Sequence, residues 1–246
     1  MSFRHLLSSR SVRSFCSIRS CSARSWLKSA RILSALAIAS LLLSACANTK
    51  TLPKADARLT EVDAGNFDYV LMMPGEKIPA LNKIYIEAPQ VSFSAYWLTE
   101  FRGDYTERDL ERITTSYARL LTKALTNGIT EDTNIVVVES AADADVIFRP
   151  LMRELNIYAP DLSFPGRTKS FIREAGNAVL DLTLIQASDN KVIAQFIDNR
   201  ETASNPGRRL ERTERATNAR YFRRLMERWT NNLTDYLIMT DAASAK

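Results

Sequence analysis

Apolar residues recur at helical spacing in two long stretches of the chain. In residues 106–127 the repeat comprises Leu110, Ile113, Tyr117, Leu120, Leu121, Ala124 and Leu125. In residues 210–239 one face carries Phe222, Leu225, Met226, Trp229, Leu233, Tyr236 and Leu237. Thr106 with Asp109 is typical of a capped helix start, and Gly128 is typical of a C-terminal cap. The pattern therefore predicts two amphipathic helices.

Five shorter segments have the alternation or the β-branched content of strands. They are residues 83–93, 134–139, 145–158, 177–187 and 192–202. The second is short and apolar, which predicts a buried strand. Pro89 indicates an edge or a bulge in the first segment, and Pro150 indicates an interruption of the third. The polar stretch from Ser188 to Lys191 predicts a hairpin between the last two.

The order of these elements is β-α-β-β-β-α, which predicts an α+β fold. We expect a single two-layer domain, a mixed β-sheet with the two main helices on one face. The first crossover should be right-handed and parallel, and the later strand pairs antiparallel. Residues 65–240 would form this domain, starting with a docked irregular segment at 66–79. Residues 46–64 lack an apolar period and are expected to be a flexible tether, and 241–246 a disordered tail.

A leader segment precedes the predicted domain. Residues 32–43 are an uncharged, mostly apolar run of 12 residues. As a helix this run would span roughly 18 Å, well short of a hydrocarbon core of about 30 Å, so it fits a signal peptide better than a membrane-spanning helix. The next residues, Leu43-Ser44-Ala45-Cys46, resemble the bacterial lipobox. That resemblance implies removal of residues 1–45, cleavage between Ala45 and Cys46, and lipid on the Cys46 thiol.

Two other interpretations of the leader compete with this one. It could be an ordinary secretory signal in which Cys46 has no role. It could also be an organelle transit peptide, because residues 1–31 are rich in arginine and serine and contain no acid. The lipobox interpretation accounts better for a compact apolar run that ends at a cysteine.

Charge is divided unevenly between leader and domain. The whole chain has a formal net charge of +5. Residues 1–45 contain no acid and seven basic residues, namely Arg4, Arg10, Arg13, Arg19, Arg24, Lys28 and Arg31. The remainder therefore has 26 basic and 28 acidic residues. The basic balance belongs to the leader and predicts no nucleic-acid partner for the domain.

Cysteine and histidine are confined to the leader and the predicted cleavage site. Cys16, Cys21 and His5 precede Cys46, and no cysteine or histidine follows it. After cleavage the protein would have no internal disulfide, no histidine-containing metal site and no cysteine or histidine nucleophile pair. We therefore predict no cofactor, no metal and no catalytic residues of these types.

The predicted location is the outer membrane, with the domain facing the periplasm. Two or three acyl chains on one cysteine would hold the protein stably, whereas a single chain binds only marginally. Ala47 follows the cysteine, and by resemblance to the sorting rule of enteric bacteria this favours the outer over the inner membrane.

Arginines are concentrated before and within the last predicted helix. Arg220, Arg223, Arg224 and Arg228 would lie away from the apolar stripe and form a candidate face for an anionic partner. The competing interpretation is a solvated helix face with Glu211–Arg215 and Arg223–Glu227 pairs, and the acids that accompany the arginines favour it.

Two further groups of residues have both a functional and a structural interpretation. Tyr96, Trp97 and Phe101 could form an exposed recognition patch, but aromatic residues are more often core. Asp181, Glu87 and Glu174 lie on or near strands and could supply a carboxylate pair for hydrolysis, which requires a separation of roughly 5 to 9.5 Å. Strand acids are more often outward-facing, so a non-enzymatic protein is favoured.

The stretch from residue 83 to 237 resembles a proteobacterial lipoprotein family defined as domain of unknown function 3313. The resemblance is carried by the lipobox and by three further motifs: Ile84-Tyr85-Ile86-Glu87-Ala88-Pro89, Ala144-Asp145-Val146, and the hairpin from Val179-Leu180-Asp181-Leu182 to Val192-Ile193-Ala194. Members usually have a glycine near this turn, where this chain has Asp189-Asn190-Lys191. The resemblance implies fold and location but no activity.

We expect an envelope lipoprotein that binds an envelope protein or peptidoglycan; the alternative is a carboxylate-dependent hydrolase of envelope glycans or lipids.

Overall fold

The computed structural model describes residues 58–158, 171–202, 210–212 and 214–244. It contains three α-helices in these ranges: α1 (Ala95–Phe101), α2 (Glu107–Asp132) and α3 (Arg215–Ser244). The strands are β1 (Thr60–Val62), β2 (Tyr69–Met72), β3 (Lys83–Ile86), β4 (Gln90–Phe93), β5 (Val136–Val138), β6 (Val146–Ile157), β7 (Phe171–Ile172), β8 (Gly176–Gln186), β9 (Val192–Glu201) and β10 (Glu211–Arg212).

Eight of the described strands form one mixed sheet. Its order is β1-β2-β9-β8-β6-β3-β5, with β4 also paired to β6, and β7 and β10 form a separate two-stranded ribbon. β3 is parallel to β5 and β6, and β4 is parallel to β6. β6, β8, β9, β2 and β1 pair antiparallel in turn. The expected α+β class with a mixed sheet is confirmed, as are the parallel first crossover and the antiparallel later pairs.

The N-terminal part of the described chain is more regular than expected. β1 falls within the segment expected to be tether, and β2 falls within the segment expected to be irregular. Both predictions were wrong because β1 and β2 are too short for a clear period. Their order comes from pairing in the sheet, where β2 pairs with β9 and β1 pairs with β2. At the other end, α3 continues to Ser244, past the predicted boundary at residue 240.

Strand β5 is an edge strand, which contradicts its predicted burial. Among the described strands it pairs with β3 alone, and the Val136 side chain is 55% exposed. The run of three valines provides β propensity but does not distinguish a central from an edge position. Pro89 falls between β3 and β4, where the strand is interrupted, as its position predicted.

Strand β6 runs through Pro150 without the expected interruption. The Phe148 carbonyl accepts a hydrogen bond from the Glu87 amide of the neighbouring chain segment. Polar backbone groups two residues apart face the same side of a strand, so the N–H that Pro150 lacks would face the junction of β3 and β4. Strand β3 ends at Ile86, at the same point. The irregularity in β6 lies instead between Arg153 and Asn156, where the register to β8 shifts.

Helix α2 begins as predicted and ends later than predicted. The Thr106 hydroxyl accepts from the Asp109 amide while the Asp109 carboxylate accepts from the Thr106 amide, which is a complete capping box. Gly128 is not the cap, because the helix continues to Asp132. A Cβ at Gly128 would lie 2.5 Å from Cγ2 of Thr230 on α3, so this glycine permits close packing of the two helices.

The core lies between the helices and one face of the sheet. Helix α3 contributes the predicted stripe, in which Phe222, Trp229 and Leu233 are fully buried. Its first residue is Arg215, and the preceding Glu211 and Arg212 form β10, so the predicted start near residue 210 was early. The hairpin of β8 and β9 is confirmed, and Asn190 takes the positive φ of 58° at its turn.

Candidate functional site

The predicted cleavage and lipidation residues, Ala45 and Cys46, lie outside the described residues. Their roles therefore stay predictions. Among the described helices, none has both the length and the apolar content needed to cross a membrane. Within the same residues, no cluster of three or more histidine, cysteine, aspartate or glutamate side chains is arranged to hold a metal ion.

The four arginines of the candidate anionic-partner face have different surroundings. Arg220 forms an ion pair with Glu211 of β10, and Arg223 pairs with Glu227 at 3.7 Å. Arg228 donates to the Glu201 carbonyl oxygen at 2.9 Å. Arg224 is exposed. The Arg223–Glu227 pair is as expected for a solvated helix face, whereas Glu211 lies in a strand and reaches Arg220.

Arg228 belongs to a polar network that joins α3 to the end of β9. Asp198 is buried on β9 and pairs with Arg200, whose guanidinium also donates to the Asn66 carbonyl at 2.5 Å. Burial raises the pKa of Asp198, against the lowering effect of Arg200. Burial, and next the charge of Arg200, lower the pKa of Arg228. The network holds structural elements together at one end of the helix-covered face.

The strand acids Glu87 and Asp181 each have a basic partner. Glu87 accepts two hydrogen bonds from Arg149, at 2.6 and 3.0 Å, and this bond raises the pKa of Arg149. Asp181 is 6% exposed, accepts from the Gln195 amide at 2.6 Å and lies 3.4 Å from Nε of Arg153. These contacts make both acids structural partners of neighbouring strands.

Glu174 lies near a hydroxyl group that sequence reasoning did not identify. The Tyr158 hydroxyl donates to Oε1 of Glu201 at 3.4 Å. Burial, then Glu201, and finally the charge of Glu174 raise the pKa of Tyr158. Two carboxylates therefore act on one phenol that keeps its proton. Strand ends separated by 43 residues create this arrangement, and no local motif signals it.

Of the three candidate aromatic residues, only Tyr96 is exposed. Its side chain is 71% exposed, while Trp97 is 1% exposed and stacks on Phe93 with ring centroids 4.3 Å apart. The Trp97 indole donates to the Ile157 carbonyl at 3.0 Å, and Phe101 is half-buried beside it. The structural interpretation is correct for Trp97 and Phe101, and a recognition role of Tyr96 stays a prediction.

Tyr96 and Tyr158 line a groove of about 460 Å³ where β6 meets α1. Asn156, Asn177 and Glu154 contribute polar groups to the same groove. Glu154 has a φ of 54° at the irregularity of β6, and strained backbone at a bulge often re-aims side chains at a binding site. Two exposed tyrosines with amides and a carboxylate offer both donors and acceptors beside flat apolar surface. This groove is the candidate binding site.

The chain is similar in structure to several bacterial proteins at low identity. A PelC dodecamer subunit from Paraburkholderia phytofirmans is 12% identical, with a TM-score of 0.37 over 67% of this chain and 96% of that one. A DUF330 protein from Xanthomonas campestris is 13% identical, with a TM-score of 0.35 over 70% and 91%. A DUF4136 protein from Bacteroides thetaiotaomicron is 9% identical, with a TM-score of 0.34 over 74% and 98%.

No family model matches the chain, and no curated protein matches it significantly. The resemblance to domain of unknown function 3313 therefore stays a prediction. The class that the structure defines is a mixed-sheet α+β domain with its helices on one face.

Proposed function

We propose that the protein is a lipid-anchored bacterial envelope lipoprotein whose α+β domain binds an envelope protein or a cell-wall component without catalysis. The observation that carries the proposal is the sequence Leu43-Ser44-Ala45-Cys46, placed directly after a run of 12 uncharged residues. Lipid on Cys46 would hold the domain at the membrane, and Ala47 favours the outer membrane as its location.

Binding in place of hydrolysis is supported by the surroundings of the acids. A hydrolase of the carboxylate type needs two acids free to exchange a proton and to stabilise positive charge. Glu87 and Asp181 are instead held by Arg149 and by Arg153 with Gln195. The groove beside Tyr96 offers contact surface and hydrogen-bonding groups, which suit a ligand that is held and released unchanged.

The lipid anchor is tested by metabolic labelling with a fatty acid. Wild-type protein should take up label and sediment with membranes, and Cys46→Ala should do neither. Cys16→Ala and Cys21→Ala are matched controls from the leader and should behave as wild type. Continued labelling and membrane retention of Cys46→Ala would contradict the anchor.

The binding site is tested by photo-crosslinking in cells. A photoreactive residue at Tyr96 should give a discrete adduct with an envelope component, because this side chain projects from the groove. The same residue at Met239, which is 68% exposed at a site outside the groove lining, is the control and should give no such adduct. Equal adducts at both positions would remove the groove from the proposal.

A carboxylate-dependent hydrolase remains the second candidate, on one observation. Glu174 and Glu201 both raise the pKa of the Tyr158 hydroxyl, so both acids lie near the same side chain. Purified protein would be incubated with envelope glycans and lipids beside Glu201→Gln and Glu174→Gln variants. Product that disappears in both variants would establish the enzyme; no product, or product that persists in both, would exclude this site.

A further inference from the structure

One edge of the sheet is incomplete beside β4. β5 pairs with β3 through Val136–Val138 and then leaves the sheet for a 3₁₀ turn at Ala141–Asp143. β4 continues the same edge alongside β6, and no described strand pairs with its other side. No described strand therefore continues the position of β5 along β4, and the backbone groups of Gln90–Phe93 that point away from β6 have no strand partner among the described residues.

A groove of about 790 Å³ runs between this free edge and helix α2. Its helix side is formed by small residues that recur every four positions, including Ala118 and Thr122, so the wall is low and leaves room for a chain segment. Gln90 and Val91 of β4 line the opposite wall. A groove bounded by a strand edge and a helix is the geometry used for strand addition.

The charge of the groove indicates the chemistry of its occupant. Arg119 and Lys123 project from α2 at its rim, and both are exposed. The lining contains no acidic residue, and within the described part of the chain neither cation forms an ion pair. An occupant with carboxylates would neutralise both cations, whereas a basic one would be repelled.

The protein's own segments outside the described residues do not have that chemistry. Residues 51–57 have one base and one acid, residues 159–170 have two bases and one acid, and residues 203–209 have two bases and no acid. The leader has seven bases and no acid, and residues 46–50 have one base and no acid. We therefore propose that an extended acidic peptide of a partner protein adds to β4 as a strand, with its carboxylates over Arg119 and Lys123. This proposal rests on that part of the proposed function in which the domain binds a partner, and it is independent of lipid on Cys46.

The test uses full-length protein in detergent and a fluorescein-labelled octapeptide of alternating valine and glutamate. Anisotropy should show saturable binding below about 1 mM, and the lysine analogue of the peptide should not bind. Arg119→Glu with Lys123→Glu should weaken binding about tenfold or more. Lys77→Glu with Arg108→Glu makes the same change in net charge at exposed positions outside the groove and should leave binding unchanged.

N-methylation separates strand addition from simple charge attraction. Alternate amides of the peptide face β4, so methylating one alternating set should abolish binding and methylating the other should leave it intact. Absence of binding, equal binding by the double variant, or indifference to both methylation patterns would overturn the proposal. Self-association of the protein that is lost in the double variant would also overturn it, because the occupant would then be a second copy. None of these outcomes alters the labelling or Tyr96 crosslinking results.

Discussion

The two faces of the sheet are both largely buried, but they are built from different residues. On the helix-covered face, Leu180, Leu182 and Phe196 are fully buried and belong to the main core. On the opposite face, Val179 and Ile197 belong to a small separate cluster with Leu71. The same face contains the network of Asp181, Gln195 and Arg153. Adjacent positions of one strand therefore alternate between an apolar core and a polar, ion-paired layer.

The difference indicates that the two faces have different tasks. The helix face provides most of the hydrophobic stabilisation, because it excludes water over a continuous apolar surface. The opposite face gains little from its ion pairs, because the cost of removing charges from water offsets much of their attraction. The charged side chains of this face nevertheless specify which residues meet across neighbouring strands, since each charge needs a particular counter-charge. Substitutions on the two faces should therefore change the free energy of unfolding by different amounts and for different reasons.

The largest contrast should appear between Leu180→Ala and Val179→Ala, which are neighbours on β8. Leu180→Ala should lower the free energy of unfolding by about 3 kcal/mol, because it leaves a cavity in the main core. Val179→Ala should lower it by about 1.5 kcal/mol, since fewer methyl groups are removed from a smaller cluster. Urea titration of the full chain measures both. Equal losses would remove the energetic distinction between the faces.

The next effect concerns the buried ion pair of the opposite face. Asp181→Asn should destabilise by about 2 kcal/mol, because Arg153 loses its counter-charge while its side chain stays mostly buried. The double variant Asp181→Asn with Arg153→Met should recover most of that loss. A double-mutant cycle with Arg153→Met alone measures the coupling. A double variant as unstable as the sum of the single variants would show that the charges do not act as a pair.

The helices and hairpin were predictable because their signals are local. The capping box of α2 lies within four residues, and the stripe of α3 repeats over about four turns, from Phe222 to Leu237. Asn190 supplies the positive φ of the turn between β8 and β9. In contrast, β1 and β2 could not be predicted, because three or four residues do not establish a period and their order comes from pairing.

The candidate groove was only partly predictable, for a physical reason. Tyr96 was singled out, but the sequence does not distinguish it from Trp97, and only packing against Phe93 and the Ile157 carbonyl does so. Tyr158, Asn177 and Glu201 meet through the register of β6, β8 and β9. Register depends on the whole sheet, so these contacts have no signature in any single segment.

A pH-dependent effect distinguishes the buried acid of the helix-covered face. Burial raises the pKa of Asp198 above its ordinary value of 3.8, so the folded protein binds this proton more tightly than the unfolded chain. The resulting stabilisation is complete below 3.8 and is lost as pH rises through the raised pKa. The stability of wild type relative to Asp198→Asn should therefore fall as pH increases from about 4 to about 7.

Thermal unfolding of both proteins across that range gives the measurement. Asp143→Asn, an exposed aspartate elsewhere, is the matched control and should give a flatter difference. A wild-type advantage that grows with pH would mean that Arg200 outweighs burial at this site.

The smallest effect should come from the exposed rim of the opposite face. Glu87 and Arg149 form two hydrogen bonds, but both side chains are partly solvated, at 31% and 54% exposure. Glu87→Gln should lower the free energy of unfolding by less than about 1 kcal/mol, and the difference should shrink as salt is added. Urea titrations at low and high salt measure this, with Asp181→Asn as the buried comparison that salt changes less. A salt-independent loss at Glu87 as large as that at Asp181 would mean that solvent screens the Glu87–Arg149 pair no more than the buried Asp181–Arg153 pair. The polar layer would then extend across the whole face.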